Sequence, residues 1–287
     1  MTQTTTQTSR NETSSTIKIA FLGDLNGGPG RSILRQELPN LREEHQPDMV
    51  LANVENIRNG SGLSPDLYEA LRKDGIEGMS LGDHVYRDRR VVPLLENPEA
   101  PVARPANLSR HAPGKSVVRL ELDRGPGQPA CTIWLFSLLG RIGLGLPAND
   151  PFAAADDVLE KIPRNGEGRP IIIVDAHMEA TAEKAALSHH LDGRVTAILG
   201  THTHIPTADA RVLPGGTAFQ TDVGMCGPYD SIIGRDPTPV LRHMRTSVHT
   251  PYDMGSGGER LCGAVVTVQP KTGRAISVDS FAYPPFQ

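Results

Sequence analysis

The sequence predicts an α/β fold, and three observations carry that prediction. Short apolar runs alternate with helical patterns along most of the chain. Several runs, "CTIWLFSLLG", "PIIIVDAH" and "VTAILG" among them, are apolar almost throughout, which suits strands buried on both faces rather than a half-exposed sheet. Polar residues gather where those runs stop instead of being spread along them.

Taken in order, Ile17–Leu22, "IKIAFL", is the first strand and ends at Gly23-Asp24. The glycine-rich turn "NGGPGR" follows, then a helical pattern over residues 32–44. "DMVLANV" is the next strand and ends at Glu55-Asn56. The loop "RNGSGLS" leads into a helix over Pro65–Lys73, and the short strand "GMSL" stops at Gly82-Asp83-His84. After the buried strand "CTIWLFSLLG", "DPFAAADDVLEKI" reads as a helix with Asp150 as its N-cap and Pro151 in its first position. "PIIIVDAH" is another buried strand, followed by the helix "EATAEKAALSHHL" and the strand "VTAILGTHTH". Residues 218–222, 263–269 and 275–282 have β character. No internal repeat and no linker divides the chain, so residues 17–287 are expected to form a single domain. The polar tail of residues 1–16, rich in Thr and Ser, is expected to be disordered.

Composition narrows the function. The 287 residues are 38% hydrophobic and 22% charged, with a net charge of −4, which argues against stable binding of duplex nucleic acid by broad phosphate neutralisation. Three widely spaced cysteines, Cys131, Cys226 and Cys262, form no C-x-x-C and fit a reducing, cytoplasmic setting. No apolar run approaches the ~20 residues that span a bilayer, so no membrane association is expected.

The polar residues recur at one place. Asp24, Glu55-Asn56, Asp83-His84, His177 and the pair His202/His204 each lie at or just past the C-terminal end of an apolar strand, where α/β sheets place their ligand crevice. In an extended "GTHTH", residues two apart point the same way, so His202 and His204 can meet one metal or two adjacent ones. Imidazole with carboxylate and carboxamide oxygen suits Fe, Mn, Zn or Ni. Taken singly these residues have plainer roles: Asp24 can cap the following helix, and His177 can be a polar strand cap. "GDLNGGPGR" lacks both G-K-[ST] and the full G-x-G-x-x-G, and there is no G-x-S-x-G. Cys226 in "DVGMCGPYD" stands as a minor candidate nucleophile. His45, His111, His189, His190, His243 and His249 read as surface or structural residues.

In order, "FLGDLNGGPGR", "NVENIRNGSGLS", "SLGDHVYRD", "RPANL", "DAHMEATAEKAAL", "GTHTHIPTAD" and "LPGGTAFQTDVGMCGPYDSIIG" resemble the YmdB-like metallophosphoesterases, 2',3'-cyclic-nucleotide 2'-phosphodiesterases of the calcineurin-like superfamily. The tail and "RDPTPVLRHMRTSVHTPYDMGSGGE" fall outside the resemblance. It implies a four-layer α/β/β/α sandwich with a dinuclear metal centre at one edge of the sheets. Asp24, Glu55, Asn56 and His204 would hold one metal. Glu55, Asp83, His177 and His202 would hold the other, with Glu55 bridging. The metals would be iron, with manganese as a substitute. The substrate would be a small cyclic nucleotide, 2',3'-cyclic or, as a second option, 3',5'-cyclic. It would be opened by metal-hydroxide attack, with His84 as the general acid. A homo-oligomer is implied as well. Asn107, Arg104 and the backbone amides of "GGPG" are candidates for holding phosphate or ribose. The family pattern reads Gly-Asn-His where this chain has Gly82-Asp83-His84, which adds one negative charge to the cluster. The alternatives are a metallophosphatase acting on a nucleotide monoester or another phosphorylated metabolite, and a non-catalytic regulatory member of the fold.

Overall fold

The computed structural model describes residues 16–125, 130–163 and 169–286, so the expected polar tail, apart from Thr16, lies outside the described residues. Strand β1 (Ile17–Leu22) shows why the chain builds layers. Its side chains alternate across the sheet: Ile17, Ile19 and Phe21 join one buried cluster, Ala20 and Leu22 another. After β2 (Asp24–Leu25), helix α1 (Gly27–His45), β3 (Met49–Asn53), α2 (Pro65–Lys73), β4 (Gly78–Ser80), α3 (Val92–Glu96) and β5 (Val102–Ala103) complete the first half. The second half repeats the rhythm with β6 (Val118–Leu122), β7 (Cys131–Leu139), α4 (Pro151–Lys161), β8 (Ile171–His177), α5 (Thr181–Leu191) and β9 (Ala197–Thr201). It closes with β10 (Arg211–Val212), β11 (Ala218–Gln220), β12 (Met225–Cys226), α6 (Pro237–Thr246), β13 (Leu261–Gln269) and β14 (Arg274–Tyr283).

Among the described residues these strands form two six-stranded sheets and a short ribbon of β12 with β2. The first sheet runs β14-β13-β1-β3-β4-β5, the second β10-β11-β9-β8-β7-β6. In the first, β1, β3, β4 and β5 are parallel, and in the second, β7, β8, β9 and β11 are parallel. Phe21 and Leu51 of the first sheet meet Ile133, Leu135, Ile173 and Leu199 of the second in one apolar layer. Leu34 and Leu38 of α1 and Leu71 of α2 cover the outer face of the first sheet, against Ala20, Val50 and Ala52. Val158 and Leu159 of α4 and Leu187 of α5 cover the second, against Phe136, Val174 and Ile198. The four layers are therefore α/β/β/α, the sandwich of metallophosphoesterase type that the resemblance implies. Within each sheet the parallel strands end at the same edge.

Local signals decide the helix ends. Asp150 caps α4 as expected, its Oδ1 accepting the Phe152 N–H at 2.9 Å, with Pro151 next. The first helix departs from expectation. It begins at Gly27, five residues before residue 32, and takes the "GGPG" turn as its first turn. The reason is close packing rather than loop freedom: a Cβ on Gly30 would lie 2.5 Å from the Cys226 carbonyl oxygen, so only glycine lets α1 start against β12. Helix α6, in the segment outside the resemblance, was not foreseen. Its signal is Asp236-Pro237, with Asp236 Oδ1 accepting the Thr238 N–H at 2.7 Å.

Phe21 is fully buried between the sheets. Phe21→Ala is expected to destabilise the fold by about 3–5 kcal/mol, read as a lower midpoint in urea denaturation.

Candidate metal centre

Five parallel strands deliver the centre: β1 leads to Asp24, β3 to Glu55 and Asn56, β4 to Asp83 and His84, β8 to His177, and β9 to His202 and His204. Because the carboxyl ends of both sheets lie at one edge, residues up to 180 positions apart become neighbours. Glu55, Asp83, His177 and His202 offer ligand atoms that all lie within 4.8 Å of one another. His177 Nε2 is 3.1 Å from Asp83 Oδ1 and 3.3 Å from Glu55 Oε1, and His202 Nδ1 is 3.1 Å from His177 Nε2 and 3.5 Å from Asp83 Oδ1. A second group stands beside it. Asn56 Nδ2 is 3.3 Å from Asp24 Oδ1, 3.2 Å from His204 Nε2 and 3.3 Å from Glu55 Oε1, and His204 Nε2 is 3.8 Å from Asp24 Oδ1. Glu55 Oε1 belongs to both groups.

The donor set fits metal ions. Bonds of about 2.0–2.2 Å to His and carboxylate ligands place neighbouring donors about 3–3.5 Å apart, which is the spacing found here. The chemistry agrees: nitrogen and oxygen donors from buried and half-buried side chains, with no thiolate. Gly82 completes the fit, since a Cβ there would meet the His177 ring at 2.3 Å and Glu55 Oε2 at 2.4 Å. The charges answer one another. Burial alone would raise the Glu55 carboxyl, but His177 and His84 hold it below its usual range. Burial likewise opposes ionised Asp83, and its hydrogen bonds to His177 and His202 hold its carboxyl far down. Burial would lower the His177 imidazole, yet Glu55 and Asp83 keep it well above its usual value.

His202 and His204 reach their places by a different route from the expected one. The strand ends at Thr201, and both histidines adopt left-handed backbone, with φ of 90° and 68°. They are therefore not two residues of an extended strand pointing one way. His202 turns to the group with His177 and Asp83, while His204 turns to Asp24 and Asn56. His204 Nδ1 donates to the Ile233 carbonyl at 2.9 Å, which leaves Nε2 toward the centre. The bend is held by Lys184. This residue is fully buried, and its Nζ donates to the Thr201 carbonyl at 2.7 Å and to Asp222 Oδ2 at 2.9 Å. Asp222 Oδ2 also accepts the Thr203 N–H and hydroxyl, at 3.1 and 2.7 Å.

Several expectations change. Asn107 spends both side-chain groups on backbone: Nδ2 donates to the Leu139 and Asn149 carbonyls, and Oδ1 accepts the Leu139 N–H. Arg104 donates Nε to the Gly114 carbonyl and one Nη to that of Pro105. Neither makes a hydrogen bond to the acid–imidazole cluster, so both act as props for nearby backbone. Of the "GGPG" amides, those of Gly27 and Gly30 already donate to the Asn56 and Asn26 carbonyls, and Pro29 has none to give. Cys226 is buried, its Sγ bonded to the Cys262 carbonyl at 3.2 Å, and burial pushes its thiol well up, the opposite of an activated nucleophile. The residues that sequence reasoning missed are Asn53, Ser80, Asp175 and Thr201 beneath His177, Lys184 with Asp222, and Glu179, whose carboxylate lies 3.2 Å from His202 Nε2. One signal was available: Asp175 is an acid inside the otherwise apolar run "PIIIVDAH".

The chain is similar to known proteins over most of its length. A family model described as YmdB-like protein matches residues 20–281. The chain is 34% identical over 263 residues to the 2',3'-cyclic-nucleotide 2'-phosphodiesterase of Bacillus subtilis, covering 92% of this chain and 96% of that one. Among solved structures, a phosphatase from Mycoplasma pneumoniae superposes with a TM-score of 0.84 at 32% identity, covering 94% of each chain. A hypothetical protein from Thermus thermophilus superposes at 0.82 with 37% identity, covering 93% of this chain and 98% of that one.

The close fit at Gly82 gives a direct test of the centre. Gly82→Ala is expected to weaken metal binding by about 10–100-fold, as displacement of supporting contacts typically does. Titration with Mn²⁺ measures the loss, and melting of the metal-free protein checks that the fold persists.

Proposed function

The chain belongs to the YmdB-like protein family, and on that footing we propose that it is a metal-dependent phosphodiesterase that opens 2',3'-cyclic nucleotides at the 2' oxygen. The observation that carries this reading is the shared Glu55 oxygen. It stands 3.3 Å from His177 Nε2 in one group and 3.3 Å from Asn56 Nδ2 in the other, so Glu55 would be shared by metals held in the two groups. Asp24, Asn56 and His204 would complete one position, and Asp83, His177 and His202 the other. Two metals held there would polarise the phosphoryl oxygens and supply an activated water at neutral pH. Iron, or manganese in its place, suits this mixed nitrogen and oxygen set.

His84 is the proton donor in this scheme. Of the four imidazoles its side chain is the most open, at 24% exposed against 21% for His202, 11% for His204 and 0% for His177. It is held without being enclosed. Its N–H is bonded to Glu55 Oε2 at 3.0 Å, and its ring Nδ1 lies 2.7 Å from Asn56 Oδ1. Asn56 now turns its NH₂ toward Asp24 and His204. Its Oδ1 is left to accept the His84 Nδ1–H. As the acid, His84 is an imidazolium that gives its Nε2 proton to the departing ribose oxygen and keeps the Nδ1 proton on Asn56.

A metallophosphatase acting on monoesters is the second reading, favoured by the phosphatase description of the Mycoplasma pneumoniae structure. We place the protein in the cytoplasm, where its three free cysteines fit a reducing environment. Among the described residues no helix is long and apolar enough to cross a membrane. We also expect several copies to assemble, with exposed Leu241, Met244 and Val248 on and after α6 as available apolar surface.

His204→Ala is expected to lose metal and turnover together. His84→Ala is expected to keep both metals and lose about 10²–10⁴-fold in turnover, most for substrates with poor leaving groups. Metal analysis beside rates on 2',3'-cyclic, 3',5'-cyclic and monoester nucleotides checks both. Full activity of His84→Ala on cyclic nucleotides would remove it from the acid role, and faster monoester hydrolysis by the wild type would favour the second reading.

A further inference from the structure

Beneath His177 lies a closed polar network with no opening to solvent. Asn53, Ser80, Asp175, His177 and Thr201 all have 0% exposure, and they come from β3 and β4 of one sheet and β8 and β9 of the other. Asp175 is its hub. Its Oδ1 accepts the Thr201 hydroxyl at 2.5 Å, and its Oδ2 accepts the Ser80 hydroxyl at 2.6 Å and Asn53 Nδ2 at 2.8 Å. A buried acid is costly and persists only where its oxygens are satisfied, and here three donors satisfy them.

The direction of these bonds fixes a proton elsewhere. Thr201 has one hydroxyl hydrogen, and an ionised carboxylate can only accept, so that hydrogen points to Asp175. Thr201 Oγ1 then has only lone pairs left for His177 Nδ1, which lies 2.8 Å away. The hydrogen on that contact must come from the imidazole. The competing arrangement, donation from Asn53 Nδ2 to Nδ1, is weaker on distance: that pair is 3.3 Å apart, while Asn53 Nδ2 reaches Asp175 at 2.8 Å. In the neutral ring that a metal would bind, the proton therefore sits on Nδ1, and Nε2 offers its lone pair on the side of Asp83 and Glu55.

We infer that Asp175, acting through the Thr201 hydroxyl, sets the tautomer and ring orientation of His177. Thr201 and Asp175 are positioning residues for the metal centre, and Asn53 and Ser80 hold Asp175 in place. Asn53 extends the effect to the bridging acid, because its Oδ1 accepts the Glu55 N–H at 3.0 Å. Orienting partners of this kind are usually worth 10–100-fold in metal affinity. The inference rests on the metal-centre reading above.

Thr201→Val removes the hydroxyl at nearly constant volume, and Thr201→Ser restores it. Mn²⁺ titration of the full chain is expected to show about 10–100-fold weaker binding at one of two sites in Thr201→Val and near wild-type binding in Thr201→Ser. Long-range ¹H–¹⁵N correlation on the metal-free protein, at a pH high enough to bring the ring to its neutral form, is expected to show His177 protonated at Nδ1 in wild type and Thr201→Ser, and a mixture of tautomers in Thr201→Val. Asp175→Asn, which keeps the shape, is expected to shift both readouts the same way and covers the case in which Thr201→Val does not fold. Wild-type Mn²⁺ affinity and an unchanged tautomer in Thr201→Val and Asp175→Asn would overturn the inference while leaving the centre intact. His177→Ala is the control for the centre: if it binds two Mn²⁺ as tightly as wild type, the metal-centre reading itself fails.

Discussion

The buried pair Lys184–Asp222 is the interaction on which the rest of the site depends. Two left-handed histidines in one short turn are costly, at roughly 1–3 kcal/mol for each such residue. Removing one partner from a buried ion pair costs about 3–5 kcal/mol, because the other charge is left uncompensated, so Lys184 and Asp222 hold each other in place beside that turn. Both contact its backbone directly: Lys184 fixes the Thr201 carbonyl before the turn, and Asp222 fixes Thr203 between the two histidines. One strand end can then serve two metal positions. An extended strand would have sent both rings to one side.

The same economy governs the acids. Three carboxylates, from Asp24, Glu55 and Asp83, converge with four imidazoles in a site largely shut off from water. Such a cluster is tolerable because every charge faces an opposite charge or a donor, and metal ions would strengthen that balance. Asp83, where the family pattern has a carboxamide, fits this setting. Its Oδ1 lies against His177 and His202, and its Oδ2 is 3.8 Å from His84 Nε2. The extra negative charge thus sits among three imidazoles, which offset its repulsion with Glu55, whose carboxylate lies within 4.8 Å.

The outer part of the molecule is tuned to the same edge. Arg235, from a segment in which the sequence showed no family motif, donates to the Asn59 and Gly60 carbonyls at 3.0 and 2.6 Å. The Gly60 N–H in turn donates to the Asn56 carbonyl at 2.9 Å. A stretch of sequence that carries no recognisable motif therefore steadies the loop that bears a proposed ligand.

Much of this was legible in one dimension. Apolar runs and helical periods are local properties, so the α/β class and the Asp150 cap could be read directly. Because parallel strands end at one edge, acids and imidazoles at five strand ends already pointed to a single site around Asp24, Glu55, Asn56, Asp83, His177, His202 and His204. Other features lay outside that reach. "GGPG" looked like a loop because its reason, contact with the Cys226 carbonyl, lies nearly 200 residues away. Asn107 looked like a substrate contact, while its amide is consumed by distant backbone. Nothing in its helical segment marked Lys184 as buried, and Asp175 and Thr201 had no visible partners. The sequence by itself determined which side chains arrive at the edge, since strand and helix periods depend on neighbours in the chain. Only the tertiary structure decided how those side chains face one another, because a buried polar group takes its direction from partners brought together by folding.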